Sequence, residues 1–271
     1  MSERFPTSDE VSSLPYVELL ALLGESNRPP GGIDTVRRLV VNCHLRPGVS
    51  VLHVGCSAGF LSRELARRSG CNVLGIDLSS SMVKAATRHA AQEGLSALVR
   101  YEQHDMRRLQ MGDQLFDVVI SGGALAFVEG QRQAVEEWVR VARPYGLIAD
   151  AELYYRQPPP AQILARVSGA IGVAVPKYDR EHWRSVFDNE LLEPYYSHED
   201  AVLTRSNPEV RRYCERMVEY SAGAWPPASK VALMDRLMDL FNLFNENLKY
   251  MNYWIFAYRR LPQGSEPSLF S

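Results

Sequence analysis

The sequence predicts an α/β protein, an open and mostly parallel sheet doubly wound with helices on both faces. Three observations predict it. Residues 50–82, SVLHVGCSAGFLSRELARRSGCNVLGIDLSSSM, read as strand, glycine turn, helix, strand and acid. Phe116-Asp117-Val118-Val119-Ile120 is a continuous apolar run, the pattern of a strand buried on both faces. Segments with helical spacing alternate with these strands, which is how parallel strands are joined.

The first unit justifies itself residue by residue. Val51-Leu52-His53-Val54 is short, apolar and β-branched, and it ends at Gly55, so it reads as a buried strand. In Gly55-Cys56-Ser57-Ala58-Gly59, Gly55 can adopt backbone angles closed to other residues and lets a ligand approach the main chain. Phe60, Leu61, Leu65 and Ala66 fall at helical spacing over residues 60–69. A second strand, 72–76, ends on Asp77. An acid about 20 residues past a glycine turn, at a strand end, is the arrangement that binds a ribose diol in nucleotide folds.

VLHVGCSAGF followed by VLGIDLSSSMV resembles motifs I and II of the class I S-adenosylmethionine-dependent methyltransferases, whose turn is GxGxG rather than the dinucleotide GxGxxG. The resemblance covers roughly residues 33–155 and the last strand. It implies a Rossmann-like sheet of seven strands with the last antiparallel. It implies that Gly55, Cys56, Ser57 and Gly59 line the methionine and ribose part of the cofactor, that Asp77 accepts both ribose hydroxyls, and that Leu78 and Met82 lie against the adenine. Two positions depart from the family pattern: His53 stands where an acid is common, and Ser57 replaces the middle glycine.

The remaining elements follow in chain order. Residues 12–23 read as a helix through Leu14, Val17, Leu19, Leu20 and Leu23, and 24–32 as a loop by their prolines and glycines. Residues 1–32 then form a cap of helix and loop ahead of a domain over 33–271. In the family, the segment before the first domain helix folds over the cofactor, which places Arg28 within reach of the cofactor carboxylate; the alternative is a connector with solvated charges. Residues 34–44 are helical and stopped by Arg46-Pro47-Gly48. Residues 79–92 form another helix, with Ser79 or Ser80 as N-cap, and 98–103 alternate as a strand that delivers His104-Asp105-Met106. By the resemblance Asp105 accepts from the adenine amino group, and the N–H of Met106 meets the ring. Ser121 and Gly122, small residues at a strand's carboxyl end, border the crevice of an open α/β sheet and in the family contact the cofactor by main chain.

Residues 131–142 are a helix ended by Arg143-Pro144-Tyr145-Gly146, and 147–153 the fifth strand. Alternation sends Asp150, Glu152 and Tyr154 to one side and Ala151, Leu153 and Tyr155 to the other. An acid at the end of a buried strand is costly without a partner, so Glu152 is a candidate general base with Tyr154 as polar support; the alternative is a structural hydrogen bond. Past Pro158-Pro159-Pro160, helices over 161–173 and 180–188 make 156–190 a lid insertion. Tyr16, Glu152, Tyr154, Tyr155 and Trp183 are candidate acceptor contacts, with core packing as the bland reading for the aromatics. Residues 192–196 read as strand six, 208–249 as a helical segment, and 250–259 as the antiparallel final strand.

The chain has 271 residues, 46% hydrophobic and 23% charged, with a formal charge of −2. With a pI of about 6.3 and no basic stripe, nucleic acid is disfavoured as a partner. Four cysteines lack metal-ligand spacing and read as reduced thiols in a cytoplasmic protein; no apolar run is long enough to span a membrane, and no metal site is expected. The resemblance implies methyl transfer from S-adenosylmethionine, leaving S-adenosylhomocysteine, to a small organic acceptor, aromatic or a natural-product intermediate, in a monomer or homodimer. The alternatives are a non-catalytic cofactor-binding relative, an NAD(P)-dependent oxidoreductase, against which the spacing of GCSAG weighs, and an RNA methyltransferase, against which the charge weighs.

Overall fold

A computed structural model describes residues 5–23 and 28–264. Residues 1–4 and 24–27, expected to be loose chain and part of a loop, lie outside the described residues. Seven strands form one sheet in the order β3-β2-β1-β4-β5-β7-β6. They are β1 (Ser50–Val54), β2 (Asn72–Asp77), β3 (Val99–Gln103), β4 (Phe116–Ser121), β5 (Ala142–Tyr155), β6 (Leu192–Ala201) and β7 (Met251–Arg260). β1 to β5 pair in parallel, and β7 runs antiparallel to both β5 and β6. The doubly wound, mostly parallel sheet with an antiparallel last strand in the sequence is therefore the fold observed.

Period-2 alternation sorts the side chains. Leu52 and Val54 of β1 enter a core with Val135 and Trp138 of α6 (Gln131–Val141) and with Trp183 of α8 (Arg180–Val186). Val51 faces the opposite core, made by Val36 and Leu39 of α3 (Ile33–Asn42) and by Leu61 and Leu65 of α4 (Phe60–Ser69). The Arg143–Gly146 turn is present as a bulge inside β5: Ala142 pairs with Phe116 and Leu147 already with Val118, so four residues loop out opposite one. β6 continues five residues past its expected end, through the polar edge sequence SHEDA, where one face is solvated and apolar alternation is lost.

The segment 12–23 is corrected to two helices, α1 (Ser8–Ser13) and α2 (Tyr16–Leu23). Pro15 forces Leu14 out of the helical region, to φ −53° and ψ 136°, and Thr7 with Glu10 closes a capping box on α1. These helices do not stand apart as an N-terminal cap. Val11, Leu19 and Leu23 share a core with Val210, Cys214 and Met217 of α9 (Asn207–Ala222) and Leu233 and Leu237 of α10 (Pro227–Leu248), so the two ends of the cap close over one apolar centre. Within 156–190, α7 (Ala161–Ile171) leans on α10, whereas α8 packs on α6 and carries part of the sheet's core. Among the described residues, no helix is long and apolar enough to cross a membrane.

Candidate active site

The crevice opens at the carboxyl ends of β1, β2 and β4, where the sheet reverses direction of strand order. Gly55 has φ 65°, and a methyl group added to it would stand 2.2 Å from the Ala124 side chain. Gly59 has φ 83° and caps α4; a methyl there would stand 2.3 Å from the Tyr101 hydroxyl, which donates to the Gly59 carbonyl at 3.2 Å. Only glycine fits either place. Ser57 takes the middle position with φ 49°, a left-handed conformation that costs a non-glycine residue stability. It is held there because its N–H donates to Asp77 Oδ2 at 2.8 Å.

Asp77 is the hinge of the site. Its other oxygen accepts from the Ser79 N–H at 2.9 Å, and Ser79 caps α5 (Ser80–Gln92) through Met82 N. Burial raises its carboxyl above the ordinary range, opposed by the N–H groups of Ser79, Ser57 and Leu78. A carboxylate oxygen that accepts one N–H can accept a second hydrogen bond, and two such oxygens are the acceptor set a vicinal diol needs. Leu78 beside it is 65% exposed, while Met82 is buried and receives the Ser57 hydroxyl at its sulfur. Cys56 is buried, and burial with the charge of Asp77 pushes its thiol well up, so it is no nucleophile.

Two supports of the loop were not singled out from sequence. Arg63, buried on α4, donates to the Ala58 carbonyl at 2.6 Å and to Glu93 at 3.0 Å, pinning the turn from below. The only sequence signal was an arginine on the apolar face of an amphipathic helix. Tyr101 packs under Gly59 and Gly75.

His53 fills the place of the usual acid differently. It lies on the α4 face, its Nδ1 2.6 Å from Ser62 Oγ, and burial drops its pKa to about 3. It therefore supports the helix as a neutral ring. An unfolded histidine binds a proton near pH 6.5, the folded one only near pH 3, so this group's contribution is present above pH 6.5 and is lost as pH falls. Relative to His53→Gln, the wild type is expected to lose about 2 kcal/mol of stability between pH 7 and pH 5. Urea unfolding of both proteins at the two pH values checks it; equal losses would refute a buried neutral His53.

On the far wall, residues 28–32 lie across the end of β4. Pro29 stands 3.2 Å from the position of a methyl on Gly122, and Pro30 3.3 Å from one on Gly123. The guanidinium of Arg28 lies 5.0 Å from the Phe60 ring centroid, at the N-terminus of α4 beside Gly59. Tyr16 and Leu20 of α2 pack on Ala58, Met82 and Ala85, so the cap roofs the glycine turn. Ser121 is fully buried next to these groups.

Several expected site residues are placed otherwise. Asp105, expected to accept from an adenine, is paired with Arg107 through Nε at 3.0 Å and Nη2 at 2.7 Å, which lowers its pKa. Met106 packs toward Gly55. Trp183 is fully buried, its indole N–H donating to the Leu153 carbonyl at 3.0 Å, so it is a core residue and lines no lid. The Tyr155 hydroxyl donates to Asn247 at 3.0 Å, and the Tyr154 hydroxyl to Glu199 while accepting from Asn252; both hydroxyls are engaged in packing.

Glu152 has a partner that sequence did not pair with it. Asp150 and Glu152, two residues apart on one face of β5, are both buried, and Ser121 adjoins them in the neighbouring strand. Burial, opposed by the Ala151 N–H, the Ser121 hydroxyl and the Gly123 N–H, raises Asp150 to about 6. Burial first, then the charge of Asp150, pushes Glu152 well above its usual range, against the N–H groups of Leu125 and Ala126. Two charges so close are costly in a dry site, so of the two Glu152 is the one pushed further toward its protonated form. It sits beneath the 3-10 turn Leu125–Phe127 and is 1% exposed.

Strand order, glycine turn and strand-end acid are those that the resemblance to the class I S-adenosylmethionine-dependent methyltransferases implies. Residues 52–149 match the family described as "Methyltransferase domain". Phosphoethanolamine N-methyltransferase 3 of Arabidopsis thaliana is 28% identical over 156 residues, 58% of this chain but 31% of the plant enzyme, so the chain matches under a third of that relative. The MccD crystal structure superposes with a TM-score of 0.72 at 22% identity, over 86% of this chain and all of that one. Phosphoethanolamine N-methyltransferase 2 of Haemonchus contortus, solved with phosphomonomethylethanolamine and S-adenosylhomocysteine, gives 0.71 at 16% identity over 91% of this chain and 58% of that one. These likenesses in three dimensions are likenesses of fold.

Proposed function

We propose that the protein transfers the methyl group of S-adenosylmethionine to a small organic acceptor held between the glycine turn and the helical cap. The observation that carries this is Asp77, fixed by two backbone N–H groups at a strand end, where a ribose diol is bound in nucleotide folds. When bound, S-adenosylmethionine supplies a methyl carbon that is already electrophilic. The chain's part is then to hold an acceptor in line with it and to exclude water. Gly55 and Gly59 let the main chain approach, Arg28 stands at the α4 N-terminus where a carboxylate would be met, and Tyr16 and Leu20 cover the turn. Small-molecule acceptors are named for relatives of this fold, phosphoethanolamine and sterols among them, and the mixed aromatic cap suits such a molecule.

The Asp150–Glu152 pair acts through the turn at 123–126, keeping its N–H groups aimed, rather than by touching the acceptor. Glu152→Gln keeps shape and neutrality, so kcat is expected to stay within about threefold of wild type, far from the roughly 10²–10⁴ loss that removal of a general base brings. Radiolabelled methyl transfer to an acceptor found by screening measures it. A loss in the larger range would reinstate Glu152 as the base.

A further inference from the structure

The cap contains a cavity of about 880 Å³ between α9, the end of α10 and Arg28, within the size range of small-molecule sites. Tyr213, Phe241 and Phe244 form its apolar side. Their rings are linked edge to face: Tyr213 to Phe241 at 5.2 Å, Phe241 to Phe244 at 6.3 Å, and Phe244 to Tyr16 at 5.7 Å. Tyr16 in turn packs against Ala58 and Met82. A continuous aromatic wall therefore runs from the glycine turn into the cavity, with Arg28 at the junction of the two.

The opposite side is charged. Arg205, Arg212 and Arg216 line it together with Glu209, Glu215 and Glu219. Glu209 is spent: it caps α9 through Ser206 and faces Arg205 at 3.7 Å. The loop bearing Arg205 is tied to α10 by a reciprocal pair of hydrogen bonds with Asn245, each 2.7 Å, so this rim is fixed. Arg212 and Arg216 lie one helical turn apart, Arg212 also acting on Glu209 through its charge, and the four arginines of the lining outnumber its three glutamates. Four guanidinium groups around an aromatic wall, in a protein whose net charge is −2, are a local reversal of sign.

Resting on the methyl-transfer reading, we propose that this cavity is the acceptor's binding site and that the acceptor is amphipathic. An aromatic or apolar body lies on Phe244, Phe241 and Tyr213, and an anionic group, carboxylate or phosphate, is held by Arg212 and Arg216. The end to be methylated then points along the aromatic wall toward Tyr16 and Arg28. Planar guanidiniums recognise either anion by paired hydrogen bonds.

The test titrates the protein, with and without S-adenosylhomocysteine, with 1-naphthyl phosphate, 1-naphthoate and 1-naphthol, following tyrosine and tryptophan fluorescence. At least one anion is expected to bind about tenfold or more tighter than the neutral alcohol, the scale of a charged hydrogen bond. The tighter of the two identifies the anion. In the double variant Arg212→Ala, Arg216→Ala, and equally in Arg212→Gln, Arg216→Gln, that preference is expected to vanish with S-adenosylhomocysteine affinity unchanged. Both positions are exposed on a helix, and Ala and Gln are good helix formers, so the variants fold. Equal binding of 1-naphthol, or a preference that survives both double variants, overturns the proposal. Failure of the wild type to bind S-adenosylhomocysteine sinks the methyl-transfer reading instead, while the anion preference is still read from the protein alone.

Discussion

Gly55→Ala is expected to eliminate measurable cofactor binding and to cost the fold roughly 2–3 kcal/mol, as overpacking at a left-handed position does. The new methyl would lie 2.2 Å from Ala124 Cβ, at φ 65°, in a stretch held on both sides. Cys56 N is bonded to Ile76 O at 2.8 Å, and Gly123 N to Asp150 Oδ1 at 3.4 Å, so the chain on both sides of the contact is tied to the sheet. Thermal unfolding and calorimetry with S-adenosylhomocysteine measure both effects. A variant with wild-type melting and affinity would show that the turn is looser than its contacts require.

Asp77→Ala is expected to weaken the same ligand by roughly 1.5–3 kcal/mol, the worth of hydrogen bonds to a charged group. The loss has two sources. The diol loses its acceptor, and the Ser57 N–H loses the carboxylate that keeps Ser57 at φ 49°. Asp77→Asn separates them, since an amide oxygen still accepts from one N–H but carries no charge. It is expected to fall between wild type and the alanine variant. Unchanged affinity in Asp77→Ala would remove Asp77 from the site.

Local chemistry was legible where it is local. The β1 turn, the α4 and α5 starts and the strand-end acid are written within some thirty consecutive residues, and Ser79 stands as the N-cap of α5 as expected. The antiparallel β7 was readable because YWIFAYRR is β-rich and comes last along the chain, although it pairs inside the sheet between β5 and β6. What was hidden depends on pairs distant in sequence. Val11 meets Val210 and Leu233 only once the sheet has brought both ends of the cap together, so a segment that reads as an N-terminal appendage is half of a shared core. Trp183 reads equally well as pocket or core, and the carbonyl of Leu153 decides for core. Asp105 was matched by position, but Arg107 two residues on claims its carboxylate, a contact that a family pattern does not carry.

Glu152 teaches the same lesson about acids. Alternation alone set Asp150 and Glu152 on one face, yet the pairing matters only because both are buried under the 125–127 turn. Exposed, they would be two ordinary carboxylates; buried together, each raises the other's cost of ionising.

Calorimetric titration of the wild-type protein with S-adenosylhomocysteine, repeated with Asp77→Ala, shows whether the strand-end acid holds the cofactor. Binding that saturates at one site per chain and is weakened about tenfold or more in the variant is the predicted result. No heat and no saturation in the wild type, or equal affinity in the two proteins, would contradict a cofactor site built on Gly55, Ser57 and Asp77.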